Sequence, residues 1–145
     1  MQQQVLFNYA DIQPPKFPKT RLKNFIASLF VRENRRLQQL QYVFCSDEYL
    51  LGINRQFLDH DYYTDIITFD LSNDTTLPTE GEVYISIERV KDNAKIHKVS
   101  FKEELLRVIF HGALHLCGYL DKSDADIILM REKENYYIGQ FVLES

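Results

Sequence analysis

The stretch that decides the fold runs Ser100-Phe-Lys-Glu103-Glu-Leu-Leu-Arg-Val-Ile-Phe-His111-Gly112-Ala-Leu-His115-Leu-Cys117-Gly118-Tyr-Leu-Asp121. Ser100 followed three residues later by Glu103 is a capping-box signature, so a helix begins there. Leu105, Leu106, Val108 and Ile109 make that helix apolar on more than one side, which predicts a central, buried helix. Gly118 predicts its end, because glycine most readily closes a helix in the left-handed conformation. His111 and His115 are four apart in this helix and so share one face, about one turn from each other. The chain has 4 histidines, and two of them fall inside its most apolar helix.

That spacing lets two imidazole nitrogens converge on one metal ion. The bland alternative is a pair of hydrogen-bonded core histidines. The glycine turn weighs against it: a chain that doubles back at Gly118 brings Asp121 towards the same ion as a third ligand, as in the extended zincin motifs. A competing role for Asp121 is to cap or solvate the turn before the next helix. Three protein ligands with a fourth position left for water describe a catalytic rather than a structural zinc. The expected site is therefore His111, His115 and Asp121 holding one divalent ion, zinc by preference, for hydrolysis. Cys117 is a conceivable thiolate ligand, but a small buried hydrophobe is the stronger reading. Zincin proteases carry a glutamate general base directly after the first histidine; Gly112 stands there, which disfavours a metallopeptidase.

Working outward, Ser123 followed by Asp126 signals the start of a last helix through Met130 towards Phe141. On the other side, Thr64-Asp-Ile-Ile-Thr-Phe-Asp70 is β-branched and aromatic, hence a strand. The polar segment from Ser72 to Gly81 separates it from a second strand, Glu82 to Ile87, its expected antiparallel neighbour. A helix over Glu88 to Ile96 follows. Earlier, Val5 to Tyr9 and Leu40 to Phe44 read as strands. Thr20 to Glu33 has helical periodicity, and Ser46 caps a helix reaching Leu58. The order β-α-β-α-β-β-α-α-α predicts an α+β fold: a single small mixed sheet of about four strands with helices packed on it, in one domain over residues 1–145.

Composition sets the wider limits. Apolar residues make up 45% and charged residues 26% of 145, as in ordinary globular proteins, so long disorder is not expected. No apolar run is long enough to span a bilayer. The N-terminus lacks the basic start and apolar stretch of a secretory signal. Two cysteines make no disulfide framework. A cytoplasmic protein without a membrane is the expectation. The net charge of -4 does not advertise nucleic-acid binding. Three basic clusters do stand out: Lys16 to Lys23, Arg32 to Arg36, and Arg89 to Lys102. They read first as solvated faces, with a phosphate-binding surface as the alternative. His60 and His97 are expected at the surface.

His111-Gly-Ala-Leu-His115-Leu-Cys-Gly118-Tyr119 resembles the H-G-x-L-H-L-x-G-Y-D-H motif of the YbeY endoribonucleases. Ile53-Asn54, Thr64-Asp65-Ile66-Ile67-Thr68-Phe69 and Gly81-Glu82-Val83-Tyr84-Ile85-Ser86 resemble that family's L-N, T-[DN]-V-L-S-F and G-D-I-x-I stretches. The order is right from Leu50 to Met130. The resemblance implies a zinc-dependent endoribonuclease acting on single-stranded RNA in ribosomal RNA maturation, with ribosomal RNA or ribosomal particles as partners. Two positions depart from the pattern. Asp121 replaces the usual third histidine; its carboxylate is still an acceptable ligand but makes the ion a weaker Lewis acid. Leu58 stands where the family has an arginine before its T-[DN] stretch, and Arg55 and His60 are the nearest basic candidates. The catalytic group is otherwise the water at the metal. The rival reading is a zinc-containing ribosome-assembly factor that binds RNA with weak or no cleavage.

Overall fold

The computed structural model describes residues 4–72, 74 and 76–144. The elements follow the order β1 (Val5–Tyr9), α1 (Lys19–Arg32), β2 (Leu37–Cys45), α2 (Asp47–Leu58), β3 (Ile66–Asp70), β4 (Thr79–Ser86), α3 (Ile87–His97), α4 (Phe101–Leu116) and α5 (Asp124–Leu143). The strands form one mixed sheet in the order β1-β2-β4-β3. β1, β2 and β4 run parallel, and β3 pairs antiparallel with β4, as the polar connector predicts. The α+β expectation is met.

Both β2 and β4 begin three residues before their apolar alternation does. Each start supplies pairing for the other, Leu37 opposite Thr79 and Gln39 opposite Glu80, with an irregularity between them. Ladder hydrogen bonds, not side-chain pattern, extend these strands.

Alternate residues of a strand face opposite sides of the sheet. On one side Leu40, Tyr42, Phe44, Val83 and Ile85 join α1, α4 and α5 in the main core. On the other, Cys45, Leu50 and Ile67 form a smaller cluster with Ile53, Phe69 and Tyr84 beneath α2. The sheet is thus covered on both faces.

α4 is the buried helix its sequence predicts, with ten buried residues over its length. Ser100 Oγ accepts the Glu103 N–H at 3.0 Å, half of the capping box. The Glu103 carboxylate faces Arg107 instead, at 3.9 Å. Tyr42, fully buried in β2, donates its hydroxyl to the Ile109 carbonyl at 2.8 Å and pins α4 to the sheet two residues before His111. Gly112 sets how closely the helix lies. A Cβ there would meet Val83 Cγ1 at 2.9 Å and Ile66 Cδ1 at 3.2 Å.

Candidate metal centre

The last turn of α4 ends in a Schellman motif. Gly118 takes φ of +102°, its N–H donates to the His115 carbonyl at 3.0 Å, and the Tyr119 N–H donates to the Leu114 carbonyl at 3.1 Å. The reversal carries Asp121 back over the helix face. Asp121 Oδ2 lies 3.3 Å from His111 Nε2 and 3.2 Å from His115 Nε2. The cap of α5 is Ser123, whose hydroxyl accepts the Asp126 N–H at 3.1 Å. Asp121 is therefore free of that duty.

Each imidazole is held from behind. His115 Nδ1 faces the Tyr119 carbonyl at 2.8 Å. A carbonyl only accepts, so Nδ1 carries the proton and Nε2 turns its lone pair, in the neutral ring, towards Asp121. His111 Nδ1 lies 2.7 Å from Glu134 Oε2 and donates to that carboxylate, with the same result for its Nε2. The other oxygen of Glu134 accepts from Arg107 Nη1 at 3.1 Å. Burial disfavours the charged His111 ring, but Glu134, Asp121 and Asp65 together outweigh it and hold its pKa above the ordinary histidine value. The field at the His111 ring favours positive charge.

Three ligating atoms, one from each of His111, His115 and Asp121, lie within 4.8 Å of one another. Ligands about 2.0–2.1 Å from a tetrahedral zinc stand about 3.3 Å apart. The 3.2 and 3.3 Å separations match that edge. Two nitrogen lone pairs and a carboxylate so close repel one another unless a proton or a metal cation sits between them, and the donor set fits a small divalent ion.

The site opens on a cleft of about 640 Å³ whose walls come from β3, α3, α4 and α5. Thr64, Ile66 and Thr68 present one side of the β3 segment to it. His97 was expected at the surface and is half exposed, but it also lines the cleft and faces the buried Glu104 at 3.2 Å. Cys117 is buried, and burial with the nearby Glu33 pushes its thiol up to about 12, which suits a small hydrophobe rather than a thiolate ligand.

The basic candidates Arg55 and His60 lie outside the cleft lining. Arg55 is exposed and pairs with Asp61; the His60 ring stacks on Tyr62 with centroids 5.1 Å apart. Leu58 is likewise exposed and absent from the lining. Glu134, Arg107 and Arg131 do line it, and the motif alone does not reveal them. A signal for Glu134 was present. The buried stripe of α5 is Met130, Glu134, Tyr137 and Phe141, and a carboxylate in an apolar stripe needs a buried partner.

Fold and site together define a small α+β protein organised around a helical two-histidine, one-carboxylate centre at the edge of a cleft. A sequence profile described as "Endoribonuclease YbeY" matches residues 9–142, and the chain belongs to that family. It is 49% identical over 137 residues to the endoribonuclease YbeY of Flavobacterium psychrophilum, covering 94% of this chain and 96% of that protein. It is 45% identical to the Cytophaga hutchinsonii protein of the same name, over 90% of this chain and 91% of the other. The solution structure of TM1509 from Thermotoga maritima superposes with a TM-score of 0.63 at 26% identity, covering 97% of this chain and 90% of that one.

Proposed function

We propose that the protein is a zinc-dependent endoribonuclease that cleaves single-stranded RNA during ribosomal RNA maturation, with His111, His115 and Asp121 as the metal ligands. The observation that carries this reading is the convergence of three ligating atoms, within 4.8 Å of one another, on the edge of an open cleft. The name shared by the relatives supplies the reaction class. Ribosomal RNA as substrate, and the cytoplasm as its place, rest on the motif resemblance.

Bound zinc would neutralise charge developing on a phosphoryl oxygen and lower the pKa of a water at the open position. The chain's own residues supply the orientation. Glu134 and the Tyr119 carbonyl fix which nitrogen of each histidine faces the centre. The side chains of His111, His115 and Asp121 are 20%, 25% and 39% exposed, which leaves the centre reachable from the cleft. Position 112 faces Val83 and Ile66 of the sheet. A zincin-type glutamate there would point into packing and not at the ligand atoms, which argues against a peptidase beyond the identity of the residue.

Protein purified without a histidine tag is expected to hold about one zinc per chain by elemental analysis. His111→Ala, His115→Ala and Asp121→Ala should each lose both the metal and cleavage of a single-stranded RNA. Full cleavage by metal-free protein would sink the proposal. RNA binding without cleavage in any metal would favour the assembly-factor reading.

A further inference from the structure

The charges around the cleft pose a problem for any polyanionic substrate. Among the described residues lining it, Asp65, Asp70, Glu104, Asp121 and Glu134 are acidic, while Arg107 and Arg131 are the only side chains with a permanent positive charge. The basic clusters conspicuous in the sequence lie elsewhere: Arg32 pairs with Glu144 and Arg89 with Asp47, and no member of the three clusters lines the cleft. A phosphodiester entering here meets net negative charge, offset only by a metal at the centre and by these two guanidiniums.

The two arginines are not equivalent. Arg107 is 15% exposed, donates to Glu134 at 3.1 Å and also faces Glu103. Its charge is spent on holding the carboxylate that orients His111. Arg131, one turn before Glu134 on α5, is 56% exposed, and among the described residues its nearest carboxylate oxygen, on Glu134, is 3.9 Å away. That is beyond hydrogen-bond distance. Its five N–H donors, in a geometry suited to phosphate oxygens, therefore remain available. A single carboxylate, Glu134, separates it from the His111 ring, so it stands beside the candidate centre.

We propose that Arg131 is the substrate-positioning residue of this cleft: it binds a phosphate of the RNA strand next to the phosphate presented at the His111–His115–Asp121 centre. The inference rests on the nuclease reading above and adds a residue outside its sequence motif. Exposed and only loosely paired, Arg131 contributes to holding substrate and little to the fold.

The test is steady-state cleavage of a short, end-labelled single-stranded RNA by the zinc-loaded protein across a range of KCl concentrations. Arg131→Gln should raise KM about tenfold with kcat within about twofold. The dependence of log(kcat/KM) on log[salt] should flatten by about 0.7, the value for one contact to a single-stranded phosphate. Arg131→Lys should recover most of both effects, since the charge is kept. Lys95→Gln removes one exposed charge outside the lining and should change neither. Zinc content and melting temperature of Arg131→Gln should match the parent. A variant with parental KM and salt slope overturns the assignment and leaves the nuclease reading standing. A parent protein that neither binds nor cleaves RNA overturns that reading first, and the assignment with it.

Discussion

Glu134 shows how much chemistry one buried carboxylate carries here. Its side chain is 6% exposed, and its two oxygens are divided between the His111 ring and the Arg107 guanidinium. Such a partner fixes the histidine tautomer and raises the basicity of the ligating nitrogen, and its loss typically weakens metal binding 10–100-fold. Glu134→Gln keeps the shape and an acceptor oxygen but removes the charge. It is expected to weaken zinc binding by about that factor, read by competition with a chromophoric chelator, with the fold intact by circular dichroism. Unchanged affinity would mean that the carboxylate is there only for Arg107. Within the candidate metal motif, His111, His115 and Asp121 are legible because helical spacing and a glycine turn are local facts. Glu134 and Arg131 come from a different helix, and only packing brings them to the centre.

At the scale of elements, α4 and the turn that ends it decide whether the site exists. Gly112 is a helix-interior glycine, and replacing it by alanine would gain about 1 kcal/mol of helix propensity. The added Cβ would press against Val83 at 2.9 Å; a stiff β-branched side chain gives little, and overpacking costs about 1–3 kcal/mol. The second effect is expected to win, so Gly112→Ala should lower the melting temperature. A higher one would show that the sheet yields. Gly118 is under a different constraint. At φ of +102° an alanine is strained, and its Cβ would lie 2.8 Å from Arg35 Nη2. Gly118→Ala should cost about 1–2 kcal/mol and also weaken zinc binding, because the Tyr119 carbonyl behind His115 moves with the turn. Denaturant titration and zinc competition on the same variant check both effects.

Across the whole molecule, Glu33 at the end of α1 ties the turn that carries Tyr119 to the two helices around it. It accepts hydrogen bonds from Tyr119 at 2.6 Å, from Lys133 at 3.4 Å and from Tyr137. Burial alone would raise its carboxyl, but the Tyr119 and Tyr137 hydroxyls and the Lys133 ammonium outweigh it and hold the pKa below the ordinary value of 4.5. A carboxyl whose folded pKa is depressed favours the fold in full above its unfolded value, and the contribution fades as pH falls through the folded one. Glu33→Gln should therefore cost about 1–3 kcal/mol at neutral pH. The gap to the parent should shrink on acidification below 4.5, as measured by urea unfolding at several pH values. A gap that stays constant with pH would remove the charge from the explanation. Metal removal acts at the same scale: bound ligand stabilises by mass action, so chelation should lower the melting temperature of the parent and leave His115→Ala unmoved.

The sequence by itself determined the element order, the buried character of α4, the capped helix starts at Ser46, Ser100 and Ser123, and the reversal at Gly118. Each depends on residues a few positions apart, where backbone preference and hydrophobic periodicity act directly. It also determined the histidine pair and placed Asp121 as its candidate third partner. The tertiary structure decided what lies behind and around that trio: Glu134 from α5 orienting His111, Glu33 from α1 anchoring Tyr119, and an acidic cleft where Arg131 remains the least committed cation. The first two contacts join residues 23 and 86 positions apart. No local pattern records them, because they exist only once burial has packed α1 and α5 against α4.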